Sequence, residues 1–202
     1  MKMDTDALMV GKGLVTDAIN YFHENPKAGI LGSYRVRADG KKRDWNKWKI
    51  AFLYESSFIS PLLGKKILWR SAINEALKNN YSIGENVLGG AYFIRYECVK
   101  AMLENVYLDY DYEGVLKHSR IGDEIIYSLF CKACGYDLHD FGKPEHSMAI
   151  ALDSLPLTKE EIIAKQKTVI HSLKKGKNGE PQAELRLFFR QLRQNVIITE
   201  GN

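Results

Sequence analysis

The sequence predicts an α/β fold, and the alternation of strand-like and helix-like stretches carries the prediction. Leu14, Ala18, Ile19 and Phe22 recur at helical spacing between an apolar stretch at residues 3–8 and a second one at residues 28–34. A further extended stretch at residues 87–94 opens on a glycine pair and runs into another helical pattern. With 202 residues, 45% of them hydrophobic and 27% charged, the chain has room for one sizeable domain, or one domain with a tail.

Met3-Asp4-Thr5-Asp6-Ala7-Leu8 reads as the end of a short strand carrying two carboxylates. Residues i and i+2 of an extended segment point to one side. Asp4 and Asp6 are therefore expected to face one hard cation, which in turn can hold a diphosphate. The helix after Gly11-Lys12-Gly13 is stopped by Asn25-Pro26, because proline breaks helices and restricts its predecessor. Ala28-Gly29-Ile30-Leu31-Gly32-Ser33-Tyr34 follows as a strand.

Residues 35–49 are basic, with Trp45 and Trp48 among the lysines and arginines. Aromatics among bases can stack on nucleobases or sugars. A solvated loop whose tryptophans tuck into the surface is the simpler reading. Leu68, Ala72, Ile73, Ala76 and Leu77 mark a helix ended by Asn79-Asn80. Gly89-Gly90 allows a tight bend or a close backbone approach to a ligand. Cys98, Val99, Met102 and Leu103 form the buried side of the next helix, and an acidic, tyrosine-rich loop spans residues 107–118.

Ile125, Ile126, Leu129, Phe130 and Ala133 define another helix, with Gly135 as its stop. Asp123 and Glu124 fall in its first turn. Acids there complement the helix dipole, or one of them serves as a general base held on a rigid helix end. Thr158-Lys159-Glu160-Glu161 is a capping-box pattern, and a gapped helical spacing continues from Ile162 to Leu173. A final amphipathic helix after Pro181 pairs Leu185, Phe188, Phe189 and Leu192 with Arg186, Arg190 and Arg193. It either docks on its own domain or lies on a membrane surface.

A net charge of +4 is too mild to indicate nucleic-acid binding, and it suits a cleft for anionic ligands or a weak attraction to an acidic membrane. No run approaches the ~18 apolar residues of a membrane span. The three cysteines and the absence of a secretory pattern lead us to expect a reducing, cytoplasmic setting, with peripheral membrane contact at most. Cys131-x-x-Cys134 sits within a helical pattern and reads as core cysteines rather than half a zinc site.

Taken in order, Met3-Asp4-Thr5-Asp6-Ala7-Leu8, Asn25 to Gly32, Gly89-Gly90-Ala91-Tyr92-Phe93-Ile94-Arg95 and Gly122-Asp123-Glu124-Ile125-Ile126-Tyr127-Ser128 resemble the second half of a GT-A-fold glycosyltransferase of the family-2 type. The resemblance covers roughly residues 1–146, and His171-Ser172-Leu173-Lys174 is similar to the end of such enzymes. It implies a partial GT-A fold, a mixed sheet flanked by helices, with residues 1–155 as the metal, acceptor and catalytic part and residues 156–202 as a helical tail. It also implies a nucleotide-diphosphate sugar as donor, a glycan or sugar as acceptor, and Mn²⁺ or Mg²⁺ as cofactor. Asp4 and Asp6 match the metal-binding D-x-D, with His171 as third ligand and His146 as its rival. Gly89 and Gly90 match the glycine loop beside donor and acceptor. Lys174 is expected on the phosphates, and Trp69 is grouped with these donor- or acceptor-binding residues. Asp123 and Glu124 match the acidic pair that supplies the base; the family more often has Glu-Asp or Asp-Asp there.

The family also carries a first half, ahead of the D-x-D, that holds the nucleobase and ribose. The strand bearing Asp4 is thus expected to have a bare apolar edge. Three expectations follow: a separate polypeptide supplies that half, the chain forms a homo-oligomer, or it is an inactive remnant or glycan-binding subunit of such a transferase.

Overall fold

The computed structural model describes residues 1–55, 63–105, 107–108 and 121–200, with the side chains of residues 55, 63–69 and 195–200 outside the description. The elements run β1 (Lys2–Met3), β2 (Leu8–Met9), α1 (Leu14–Glu24), β3 (Ala28–Gly32), α2 (Asn46–Glu55), α3 (Leu63–Lys78), β4 (Ala91–Ile94) and α4 (Tyr96–Glu104). They continue with α5 (Asp123–Ala133), β5 (Asp137–Asp140), β6 (Met148–Ile150), α6 (Lys159–Ala164), β7 (Val169–His171) and α7 (Gln182–Glu200). The fold is α/β with mixed sheets flanked by helices. One sheet has the order β1-β4-β3-β5, antiparallel except for the β3–β5 pair; the other has the order β2-β7-β6, with β6 and β7 parallel.

Helix ends follow local chemistry. At the end of α5, Tyr136 N–H donates to Cys131 O at 3.1 Å and Gly135 N–H to Lys132 O at 3.0 Å, with Gly135 at φ 80°. Asn80 performs the same turn after α3 at φ 57°, its neighbour Tyr81 donating to Ala76 O at 3.1 Å. Thr158 and Glu161 exchange both bonds of a capping box at the start of α6.

The helical spacing expected to run on to Leu173 stops at Ala164. Gln166 takes the left-handed conformation at φ 49°, and Lys167 N–H and Gln166 N–H close onto Ile162 O and Ile163 O at 2.9 Å. Val169, Ile170 and His171 then form β7, the central strand of the second sheet. Residues 156–202 are therefore not a purely helical tail. The reason for the misreading is burial on both faces. Val169, Met148 and Ile150 pack towards Leu14, Leu31 and Phe93, while Ile170 and Ala149 pack towards Leu173, Leu185 and Phe189. Strands sandwiched in this way lose their period-2 signature. The parallel strand β5, which pairs with β3, was likewise not evident in the sequence.

Helix α7 buries Leu185 and Phe189 completely against its own domain. Each such burial contributes roughly 1.5–3 kcal/mol. Within the basic aromatic stretch, Trp45 and Arg43 are engaged internally, while Lys41, Lys42, Lys47 and Lys49 are exposed. Trp45 stacks on Tyr34 with centroids 5.6 Å apart, and Arg43 donates to Ser33 O, Tyr34 O, Asn86 O and Asn86 Oδ1. Burial lowers the Arg43 pKa to about 10. Cys98 and Cys131 are fully buried core residues, whereas Cys134, also expected in the core, is only partly buried against it. No helix among the described residues is long and apolar enough to cross a membrane. The side chain of Trp69 and residues 109–118 lie outside the described residues.

Candidate metal and acid–base site

The site is assembled at the seam between the two sheets. Lys2 lies opposite Tyr92 and Met3 opposite Ala91 in the β1–β4 pairing, and Asp4 N–H extends it onto Gly90 O at 3.0 Å. The chain then turns, with Ala7 N–H donating to Asp4 O at 3.1 Å, and enters β2 in the other sheet. Asp4 and Asp6 thus sit in a turn, not on a strand. Strand alternation, expected to bring them together, is not the cause of their convergence. The cause is a tether: Leu173 N–H donates to Asp6 O at 3.0 Å, holding the turn against the end of β7.

His171 closes the cluster. Its Nδ1 lies 2.6 Å from Ala151 O. A carbonyl has no proton to give, so Nδ1 carries the hydrogen and Nε2 faces the acids. Nε2 is 3.1 Å from Asp6 Oδ1 and 3.9 Å from Asp4 Oδ2. One ligand atom from each of Asp4, Asp6 and His171 lies within 4.8 Å of the others. The His171–Ser172 peptide is cis. Ser172, fully buried, donates its hydroxyl to Asp6 Oδ2 at 2.8 Å, and Lys174 Nζ stands 3.8 Å from the same oxygen. Burial pushes the Asp6 carboxyl up, but the Ser172 hydroxyl, His171, its own backbone and Lys174 outweigh it and hold the group below its usual range. His146 is not part of the cluster: its ring stacks on Phe141 at 5.5 Å and meets Tyr21 edge-on.

Asp123 and Glu124 occupy the first turn of α5, after Gly122. Ser128, one turn on, donates to Glu124 O at 2.6 Å and accepts from Val87 N–H at 3.2 Å, which fixes the glycine turn against this helix. The Glu124 pKa is raised to about 7, first by burial and then by its hydrogen bond and charge contact with Asp123, against the pull of the helix N-terminus. Asp123 is the exposed partner; burial raises it, but bonding to Glu124 and the charge of Lys2 dominate and lower it.

The glycine pair separates these two groups of side chains. A Cβ on Gly90 would lie 2.2 Å from His171 Nδ1, and one on Gly89 would lie 3.1 Å from Glu124 Cδ. The close approach at these glycines is to protein side chains, whereas the approach expected from the sequence is to a ligand. Comparison with protein-family models, with curated proteins and with solved structures finds no match for this chain.

Two site residues were not evident in the sequence. Lys2 donates to Gly89 O at 2.7 Å and forms ion pairs with Asp4 Oδ1 at 2.6 Å and Asp123 Oδ2 at 3.5 Å. Burial lowers its pKa, but Asp4, Asp123 and Glu124 together more than offset that and raise it. Ser172 was visible only as a neighbour of His171. The signal for both is proximity in sequence to a candidate ligand, which is too common to single them out. A cavity of about 700 Å³ lies elsewhere, lined by Val10, Ile162, Phe189 and Leu192 among others, and holds none of these groups.

Proposed function

We propose that the chain is the catalytic and acceptor-binding part of a metal-dependent glycosyltransferase with a partial GT-A fold. The donor is a nucleotide-diphosphate sugar and the acceptor a sugar or glycan. The observation that carries this reading is the convergence of Asp4, Asp6 and His171, with Lys174 beside Asp6. Two carboxylates and an imidazole form an O,O,N donor set. It fits Mn²⁺ better than Mg²⁺, which prefers oxygen ligands alone. The bound metal would supply positive charge to the diphosphate leaving group.

The protein's own groups divide the remaining work. Asp6 is held ionised by Ser172 and stays available as a ligand. Lys174, largely exposed, has the reach to meet a phosphate oxygen. Glu124, with a pKa raised to about 7, is poised to take a proton from an acceptor hydroxyl near neutral pH. Attack by that hydroxyl opposite the leaving diphosphate inverts the anomeric carbon.

The test is calorimetric titration of UDP and GDP into the purified chain with Mn²⁺, repeated with a chelator and with Asp6→Ala. Binding that requires the metal and is lost in the variant supports the reading. No binding to a folded, monodisperse sample overturns it and leaves an inactive remnant or a glycan-binding subunit. Glu124→Gln is expected to bind donor normally and to transfer nothing.

A further inference from the structure

Lys2 links three segments of the candidate site: the turn after β1, the glycine turn and the start of α5. Its backbone is set by pairing with Tyr92, and residues directly opposite on neighbouring strands project to the same face. The ammonium accordingly lies 5.5 Å from the centre of the Tyr92 ring. From there it reaches three partners on three segments: Asp4 Oδ1 in the turn after β1, Gly89 O in the glycine turn, and Asp123 Oδ2 at the start of α5. Asp4 is thereby divided. One oxygen is held by Lys2 while the other faces His171 Nε2.

We propose that Lys2 is an internal counter-ion that competes electrostatically with the metal for Asp4 and passes charge to the acid–base pair when the metal binds. The inference rests on the reading of Asp4, Asp6 and His171 as a metal site. A divalent cation held by Asp4 would share that carboxylate with the Lys2 ammonium, and the two cations would repel each other across it. With a metal held there, Asp4 would hold Lys2 less strongly. The partners that remain are the Gly89 carbonyl and Asp123, the direct neighbour of Glu124. Lys2 thereby lowers the affinity of the site for bare metal and makes metal occupancy felt at the base on the far side of the glycine turn. An ordinary orienting role has the opposite signature, because removing a residue that merely aims Asp4 weakens metal binding.

The experiment is titration of Mn²⁺ alone, without nucleotide, into wild type, Lys2→Met, Lys2→Gln and Lys2→Arg, each checked for folding by circular dichroism. The expected result is Mn²⁺ affinity about threefold to tenfold tighter in both neutral variants and near wild type in Lys2→Arg. Unchanged or weaker binding in the neutral variants overturns the proposal while leaving the metal site standing. Absence of saturable Mn²⁺ binding by wild type overturns the metal reading and this inference with it. A second arm separates charge from shape. Asp123→Asn, which removes the other acid on Lys2, is expected to weaken Mn²⁺ binding in the wild-type background more than in Lys2→Met. Equal effects in the two backgrounds overturn the coupling.

Discussion

The imidazole of His171 rests directly on the backbone of Gly90: a Cβ there would come within 2.2 Å of Nδ1. Gly90 O also accepts from Asp4 N–H, so one residue seats both a candidate ligand and the turn that carries the other two. Gly90→Ala is therefore expected to displace His171 and to cost about 1–3 kcal/mol of stability. Gly89→Ala, whose Cβ would meet the more adaptable Glu124 carboxylate at 3.1 Å, is expected to cost less and to leave Mn²⁺ binding closer to wild type. Urea unfolding and metal titration of the two variants check this ordering, and equal losses would contradict it.

Ser172→Ala removes the hydroxyl bonded to Asp6 Oδ2. A hydrogen bond to a charged group contributes about 1.5–3 kcal/mol. The folded Asp6 carboxyl is held below its usual range, so its stabilisation is present above the unfolded value and disappears as pH falls through the folded one. The gap in unfolding free energy between wild type and Ser172→Ala should be full at pH 7 and narrow in strongly acid solution. A gap independent of pH would mean that the hydroxyl stabilises something other than ionised Asp6.

Glu124 has the opposite sign. Its folded pKa is raised to about 7, so the folded state disfavours the ionised form, and the penalty develops as pH rises from the unfolded value near 4.5 towards 7. Glu124→Gln is expected to stabilise the protein by on the order of 1–2 kcal/mol at pH 8, after discounting for solvent screening, and by nothing at pH 4. It should at the same time abolish transfer. Melting curves of both proteins at the two pH values decide it, and an equal shift at both would rule out the buried-acid explanation.

Gln166 adopts φ 49° at the end of α6, a conformation that glycine takes without a Cβ penalty. Gln166→Gly is expected to gain about 1 kcal/mol, and Gln166→Val to lose at least as much. Thermal unfolding of the pair checks this. A loss in the glycine variant would show that the Gln166 side chain, at the rim of the 700 Å³ cavity, contributes more than its backbone costs.

Much of the local architecture could be read from residues close together in the chain. The helix marked by Leu14, Ala18, Ile19 and Phe22, the stop at Gly135 and the Thr158–Glu161 capping box rest on patterns within a few turns, and all three are present, although Ile19 is exposed. The second sheet was not readable in this way. Its strands are short and buried on both faces, so Met148–Ile150 and Val169–His171 show neither alternation nor length. Gln166 hid the end of α6 because a left-handed cap is usually announced by glycine or asparagine.

The same division holds at the site. The sequence alone determined which groups had the right chemistry: the carboxylates of Asp4 and Asp6, the imidazole of His171, and the acids of the first turn of α5. Only the tertiary structure decided that Asp6 and His171, 165 residues apart, meet at 3.1 Å, that His146 does not join them, and that Lys2 spans Asp4 and Asp123. The physical reason is that side-chain chemistry and helix caps are local properties. The meeting of a turn with a strand end depends on sheet register, which is set by backbone pairing and by packing across the whole domain.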